Sequence, residues 1–223
     1  MLIEKNPKDI KEMFNKISTK YDFINNIISF FTHKIAKFKA IKALKIKDNS
    51  KILDLCCGSG DFAIFISNKY ANSIVYGLDF SPLMLEIAKN KNKKITFIES
   101  DATNTPFNNS EFDYITMGFG LRNIKNYNKC VKEINRILKP NGKFLHLDFN
   151  PQTKLNNLYD KIILQILKIF IKDLEPYKYL LSSKNSFLKE DELITLFNQN
   201  GFKLIKSKKI MLNMISFQIF LKT

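Results

Sequence analysis

From Lys51 onwards, short apolar runs alternate with stretches of helical periodicity, and this alternation restricts the fold more than any other feature. Apolar runs lie at 51–56, 73–78, 94–98, 112–117 and 143–149, and helical stretches lie at about 60–70, 82–91 and 126–138. Strands and helices in this order are typical of a parallel sheet with helices on both faces. The sequence therefore predicts a doubly wound α/β domain with a mostly parallel sheet.

Helical periodicity also flanks this region. Apolar residues before residue 47 predict one or two amphipathic N-terminal helices. Another amphipathic helix is predicted from Leu155 to Ile171. A final helix at about 188–199 precedes two apolar runs, 202–210 and 214–221, which predict an antiparallel C-terminal hairpin. The predicted apolar face of the Leu155–Ile171 helix comprises Leu155, Leu158, Tyr159, Ile162, Ile166, Ile169 and Phe170.

The composition is strongly basic, with 36 Lys and Arg against 21 Asp and Glu and a net charge of +15. Such a charge suits a solvated surface, an anionic membrane surface or nucleic acid. The lysines are spread along the whole chain, and no tract combines them with exposed aromatic residues for base stacking. Nucleic acid is therefore the least favoured partner, while peripheral membrane contact and a homodimer stay open.

Several features restrict the location and the metal chemistry. No apolar run is long enough to span a bilayer, and the N-terminal segment lacks the apolar region of a secretory signal. We expect a cytoplasmic protein, with contact at the inner face of the membrane left open. Cys56, Cys57 and Cys130 are interpreted as buried apolar residues in a reducing compartment. Because His33 and His146 lie far apart without other ligands beside them, we expect no metal.

The first predicted strand leads into a glycine turn. Asp54 lies in the strand, and Gly58, Ser59 and Gly60 follow it. Glycines let the backbone turn tightly and approach a ligand, and the next helix presents its N-terminal amides there. Asp79 ends the second strand, where a carboxylate can accept hydrogen bonds from both ribose hydroxyls. Together these residues predict a nucleoside site.

Nicotinamide dinucleotides bind with the same geometry, so a dehydrogenase is an alternative to a methyltransferase. Three features favour the methyltransferase. Asp54 lies within the first strand, Asp101 and Ala102 follow the third strand as if to cap an adenine edge, and the chain has a terminal hairpin. The methyl donor expected from these features is S-adenosylmethionine.

A series of longer motifs is similar to one family. They are KYDFINNIISFFTH (20–33), LDLCCGSGD (53–61), GLDFSPLML (77–85), DATNTPFNNSEFD (101–113), FGLRN (119–123), INRILKPNGK (134–143) and YKYL (177–180). In this order they resemble the ubiquinone and menaquinone biosynthesis C-methyltransferases, from about Asn15 to Gly201. The resemblance implies a class I S-adenosylmethionine-dependent methyltransferase fold, which is Rossmann-like.

The resemblance also implies site residues. The cofactor-binding residues it implies, together with those expected from the turn, are Asp54, Gly58, Ser59, Gly60, Asp79, Asp101, Ala102 and Gly118. Tyr21 and Asn25, with Arg122 and Asn123, are expected to border a prenylated quinol. The reaction that the resemblance implies is methyl transfer to a ring carbon beside a hydroxyl of the quinol.

Roles for the predicted catalytic residues Arg122, Tyr21 and Asn123 follow from this reaction. Arg122 stabilises the phenolate, since a guanidinium keeps its proton. Tyr21 orients the hydroxyl and Asn123 holds the ring, while Asp101 is a candidate for proton removal. Tyr21 as a core residue and Arg122 as a surface or capping residue are the alternatives. The other arginine, Arg136, is interpreted as structural.

We expect one methyltransferase domain over residues 1–223. It comprises a helical cap on the substrate side (1–47), a cofactor-binding core (48–150), a helical insertion (151–186), and a C-terminal helix and hairpin (187–223). The insertion helix could pack in the core, cover a prenyl tail or rest on a lipid surface. His33 is interpreted as a structural residue on a polar turn. Two other functions stay open: methylation of another small molecule or RNA, and nucleoside binding without catalysis.

Overall fold

A computed structural model describes residues 6–28, 32–150, 154–184 and 186–223. The helices are α1 (Pro7–Ile28), α2 (Thr32–Leu44), α3 (Asp61–Lys69), α4 (Pro82–Lys91), α5 (Tyr127–Ile137), α6 (Lys154–Phe170), α7 (Glu175–Ser182) and α8 (Glu190–Asn198). The strands are β1 (Lys51–Leu55), β2 (Ile74–Asp79), β3 (Thr96–Glu99), β4 (Phe112–Gly118), β5 (Leu138–Phe149), β6 (Phe202–Ile210) and β7 (Ile215–Lys222). A short 3-10 turn, Leu121–Asn123, follows β4.

The strands form one seven-stranded sheet in the order β3-β2-β1-β4-β5-β7-β6. β1 to β5 pair in parallel, whereas β7 runs antiparallel between β5 and β6. This arrangement confirms the predicted fold class and the C-terminal hairpin. The order reverses at β1, which lies between β2 and β4, and ligands of open α/β sheets bind outside the carboxyl ends of the strands at such a point.

The N-terminal helices pack on the core through both apolar and polar contacts. Ile10, Met13 and Ile17 of α1 are buried in a cluster with residues of α6 and α7. The side chain of Ser81, which caps α4 by accepting from the amide of Met84, also lies 2.6 Å from Asn15 Oδ1. The helices are therefore attached to the sheet beside the end of β2.

The structure corrects one predicted boundary. The helix predicted at about 126–138 spans Tyr127–Ile137, but the strand predicted over 143–149 already begins at Leu138, which pairs with Phe112. The register then shifts between Phe112 and Tyr114, and Asn141 takes a positive φ of 62°. The Pro140-containing segment thus belongs to an irregular start of the strand.

The predicted apolar face of the insertion helix is wrong. α6 buries Ile163 and Leu167, while Ile162, Ile169 and Phe170 are exposed. Leu155 and Leu158 lie outside the residues whose side chains the structure describes. Apolar residues occur on more than one side of this helix, so spacing alone allows several buried faces, and contacts with α1 and α7 select one.

The two edges of the sheet differ in length and charge. β3 forms one edge and has four residues. β6 forms the other, with nine residues, and exposes Lys203, Lys206, Lys208 and Lys209 to solvent. No helix within the described residues is long and apolar enough to cross a membrane.

Candidate active site

Two neighbouring cavities open at the carboxyl ends of β1, β2 and β4. The larger has a volume of about 730 Å³, and the smaller about 80 Å³. They share one wall, formed by Tyr21, Cys56, Gly58, Gly118 and Phe119.

The glycine turn forms part of the shared wall. Gly58 has a φ of 55°, and a Cβ placed there would meet only Tyr21 Cε1, at 3.9 Å. The bare backbone therefore leaves room for a ligand. Gly60, with a φ of 85°, packs its Cα against Ala88, since a Cβ there would come within 3.0 Å of the alanine methyl. It lines neither cavity, so its predicted cofactor contact stays a prediction.

Polar contacts join the glycine turn to α1. Ser59 lines the smaller cavity, and its hydroxyl donates to Asp22, the residue after Tyr21. Lys91 of α4 forms an ion pair with Asp22 and donates to the carbonyl oxygen of Ser59 at 3.1 Å. Asp22 was not among the predicted site residues. These bonds hold α1, part of the predicted N-terminal cap, against the glycine turn.

The carboxylate of Asp79 lines the larger cavity. It accepts hydrogen bonds from the amides of Gly58 at 2.8 Å and Ser81 at 2.9 Å. Burial raises the pKa of Asp79 to about 6, although these amides oppose the shift. Each carboxylate oxygen has a further lone pair, so the group can accept from ribose hydroxyls. Such an acceptor beside a glycine cradle fits S-adenosylmethionine.

Asp101 and Ala102 also line the larger cavity, where an adenine edge was expected. Asp101 is exposed and accepts from the amide of Thr103 at 2.7 Å. Asp54 behaves differently, since its 1% exposed carboxylate accepts from Thr116 at 2.9 Å and the Ala63 amide at 3.1 Å. Burial raises the pKa of Asp54 to about 7. Asp54 lines neither cavity, and its cofactor contact stays a prediction.

Arg122 lies in the wall of the smaller cavity and is 5% exposed. Its Nε donates to Ser183 Oγ at 3.2 Å, and Nη1 donates to the carbonyl oxygen of Phe119 at 3.0 Å and to Asp148. Within the described part of the chain, these bonds leave the hydrogens of Nη2 without a protein acceptor. A buried cation with unused donors therefore borders this cavity, and its predicted contact with the acceptor stays a prediction.

Behind Arg122 lies a buried polar pair. Asp148 is 1% exposed. One of its oxygens accepts from Arg122, and the other has no hydrogen-bond partner in the part of the chain that the structure describes. The unpartnered Nε2 of His146 lies 3.9 Å from that second oxygen, and its Nδ1 bonds Gln218 at 2.9 Å. Asp148 therefore balances the charge of Arg122 and fixes the direction of its guanidinium.

The other predicted catalytic residues lie on different walls. Tyr21 lines both cavities, and burial raises its pKa while a side-chain hydrogen bond with Asn25 lowers it. Asn123 lines only the larger cavity and donates to the carbonyl oxygen of Phe119 at 3.3 Å. The structure thus brings Tyr21 and Arg122 to the smaller cavity and places Asn123 beside it.

Three residues of the smaller cavity or its surroundings were missed or misplaced. His33 lies in the first turn of α2, not on a polar turn, and is 7% exposed. Burial and the nearby Lys37 lower its pKa to about 4, so its imidazole is neutral at pH 7. Asp148 carries one local signal, a carboxylate near the end of a strand, but its pairing with Arg122 is not visible in the sequence. Lys184, 1% exposed in the smaller cavity, gives no sequence signal among so many lysines.

The three cysteines were predicted to be buried, and no metal site was expected. Cys57 and Cys130 are buried, whereas Cys56 is half-buried in the shared wall. Burial raises the pKa of the Cys56 thiol, which makes it a poor nucleophile. Among the described residues, no group of three His, Cys, Asp or Glu side chains is placed to hold a metal ion.

Comparison with known proteins identifies the family. The family model described as the ubiE/COQ5 methyltransferase family matches residues 2–222. The chain belongs to this family. A relative from Staphylococcus saprophyticus named demethylmenaquinone methyltransferase is 41% identical over 209 residues, which cover 89% of this chain and 90% of the relative. One of the same name from Staphylococcus aureus (strain JH9) is 38% identical, covering 88% of this chain and 86% of the relative.

Solved structures show the same fold. A SAM-dependent methyltransferase from Aquifex aeolicus has a TM-score of 0.64 and 17% identity, covering 84% of this chain and 89% of that chain. One from Methanosarcina mazei has a TM-score of 0.62 and 22% identity, covering 82% and 96%. Membership of the ubiE/COQ5 family confirms the predicted enzyme class, a methyltransferase, and its cofactor, S-adenosylmethionine.

Proposed function

We propose that this ubiE/COQ5 family member transfers a methyl group to the ring of demethylmenaquinol, a prenylated naphthoquinol. The main observation is Arg122, a buried cation in the smaller cavity, which shares a wall with the cofactor cavity. The sequence left open a benzoquinol or a naphthoquinol. Relatives named demethylmenaquinone methyltransferase favour the naphthoquinol.

The larger cavity is proposed to hold the cofactor. Gly58 and Gly118 offer backbone, Asp79 accepts from the ribose, and Asp101 with Ala102 borders the adenine. Ser59, which lines the smaller cavity and donates its hydroxyl to Asp22, is proposed to face the methionine part of the cofactor. When bound, S-adenosylmethionine supplies an electrophilic methyl group on a sulfonium.

Arg122 is proposed to stabilise the acceptor. A ring carbon becomes nucleophilic when the neighbouring hydroxyl loses its proton and phenolate charge spreads onto it. Among the residues that the structure describes, the Nη2 hydrogens of Arg122 have no acceptor, and they are available to that oxyanion. Arg122 does not accept the proton, since a guanidinium stays protonated in proteins. The proton of the hydroxyl, and the ring proton released after methyl transfer, are proposed to pass to solvent through Asp101, an exposed carboxylate that lines the larger cavity. Tyr21, in the shared wall, orients the same hydroxyl.

The N-terminal helices are proposed to cover the acceptor. Residues 1–47 act as a cap, because Asp22 forms an ion pair with Lys91 and Lys37 forms one with Asp61, both beside the glycine turn.

An exposed apolar patch is proposed for peripheral membrane contact. It comprises Phe23 and Phe170, whose ring centroids lie 6.1 Å apart, and Ile169. Lysines near such a patch suit anionic lipids. The homodimer stays a prediction.

The test is methyl transfer from labelled S-adenosylmethionine to short-chain demethylmenaquinol and to the corresponding methoxy-benzoquinol, both reduced anaerobically. The native protein should methylate the naphthoquinol. Arg122→Ala should lower kcat by about 10²- to 10³-fold, the usual effect of removing an oxyanion donor, while calorimetry shows cofactor binding unchanged.

Arg122→Lys is the matched control, since it keeps the charge and removes the planar fork. It should recover part of the lost kcat, because a point charge retains some attraction for the phenolate. Cofactor binding without product from either quinol would refute the proposal and direct attention to other small molecules or RNA. An RNA substrate would show a steep salt dependence of binding.

A further inference from the structure

Lys184 is a second buried cation beside Arg122. It follows α7, is 1% exposed, and forms an ion pair with Asp160 of α6. Its Nζ lies 5.6 Å from the ring centroid of Phe149 and 5.4 Å from that of Tyr159. Lys184 lines the smaller cavity, and the proposed reaction has so far made no use of it.

The ammonium of Lys184 has more donors than its surroundings use. A lysine carries three N–H donors, and within the described part of the chain Asp160 is the acceptor for one of them. A buried charge is costly unless it is paired and its hydrogen bonds are made. Burial lowers the pKa of Lys184, whereas the bond with Asp160 opposes that shift. A ligand oxygen in the cavity would supply the missing acceptor.

Arg122 and Lys184 approach the same aromatic ring. The Arg122 Cζ lies 5.4 Å from the Phe149 centroid, close to the distance of Lys184 Nζ from that centroid. Both cations line the smaller cavity. An aromatic acceptor with two hydroxyls para to each other carries one oxygen at each end of its ring. Two cations on the cavity wall can therefore each take one oxygen of such an acceptor.

We propose that Lys184 donates a hydrogen bond to the acceptor oxygen para to the one that faces Arg122. Lys184 thereby selects para-dihydroxy aromatic rings over monophenols. The inference rests on the proposed function and adds a binding residue to it. In this role Lys184 acts only as a hydrogen-bond donor and transfers no proton, so its contribution is recognition of the oxygen and stabilisation of charge that spreads to it.

The test compares two acceptors that differ at the para oxygen. A 2-prenyl-1,4-naphthoquinol has both hydroxyls, whereas the matched 3-prenyl-1-naphthol keeps only the hydroxyl beside the methyl-accepting carbon. Native protein is compared with Lys184→Met and with Lys184→Met/Asp160→Asn, which removes the charged pair together. The double variant guards against a folding defect caused by an unpaired Asp160.

Both variants should lower kcat/KM for the quinol by about 10- to 100-fold, as expected for loss of a hydrogen bond to a charged group. Turnover of the naphthol, which lacks the contact, should stay at the native rate. The intrinsic reactivity of the two rings cancels, since each acceptor is compared with itself across the variants.

Two outcomes would overturn the inference while leaving the proposed function intact. An equal loss on both acceptors would mean that Lys184 only ties α7 to α6, and unchanged kcat/KM for both would mean that it does not touch the acceptor. Native protein that binds cofactor and methylates neither acceptor would overturn the proposed function, and this inference with it.

Discussion

The walls of the two cavities are built in different ways. The wall of the larger cavity uses backbone and single side chains at or just after strand ends: Gly58 after β1, Asp79 at the end of β2 and Asp101 after β3. The wall of the smaller cavity uses side chains from distant segments, among them Arg122 and Lys184. The comparison indicates that one wall is encoded in short motifs, whereas the other depends on long-range pairing of buried charges.

The two walls also differ in how their buried charges are compensated. Asp79 is compensated by two backbone amides, that of Gly58 in the turn between β1 and α3 and that of Ser81 in the turn between β2 and α4. Arg122 is compensated by Asp148, on the next strand of the sheet. Removing one partner of a charge pair should therefore lower the free energy of unfolding far more at the smaller cavity than at the larger one.

The largest effect is expected for Asp148→Ala. It leaves the guanidinium of Arg122 buried without a counter-charge, and breaking a buried pair from one side costs about 3–5 kcal/mol. The free energy of unfolding, measured by urea denaturation, should fall by that amount. Glu175→Ala removes an exposed pair with Lys178 and should leave the denaturation midpoint unchanged. Equal, small effects of both substitutions would erase the distinction between the walls.

An intermediate effect is expected on the cofactor side, from Asp79. Its ionised carboxylate is the better acceptor for ribose hydroxyls, and its pKa is raised to about 6. Cofactor affinity should therefore weaken as pH falls through 6, approaching a tenfold loss per pH unit below it. Titration calorimetry from pH 5 to 8 measures this. Asp79→Asn should bind more weakly and show a flat profile; a native profile that is also flat would contradict the assignment.

The same shift has a consequence for stability, with the opposite sign. The folded pKa of Asp79 is raised from its ordinary value of 3.8 to about 6, so its contribution to the stability of the cofactor-free protein is fully present below 3.8. That contribution is lost as pH rises through 6, because ionisation is harder in the folded state. Asp79→Asn should remove this part of the pH dependence of unfolding.

The smallest effect is expected for Arg136→Ala, outside both walls. Arg136 bonds Glu133 at 2.7 and 2.8 Å and the carbonyl oxygen of Phe107 at 2.8 Å, so it joins α5 to the loop before β4. Its partial exposure limits the loss of unfolding free energy to about 1 kcal/mol. Steady-state assays should give an unchanged kcat/KM; a large fall would place this arginine in the reaction as well.

The same contrast explains what the sequence could predict. The succession of strands and helices along the chain follows from local patterns, and Asp79 and Arg122 could be singled out because each lies in a local pattern or a contiguous motif. Asp148 and Lys184 were missed because their significance depends on which side chains lie opposite them. The buried face of α6 was misassigned for a related reason, since spacing along the helix does not say which neighbour it meets.

The charge of the β6 edge bears on self-association. An exposed strand edge has unpaired amides and carbonyls that can recruit another strand, and closely spaced lysines oppose that by repulsion. Lys203, Lys206, Lys208 and Lys209 give β6 this protection, while β3 at the opposite edge is only four residues long. Part of the strong basicity of this chain thus serves to keep copies of the sheet from joining edge to edge, with no ligand involved.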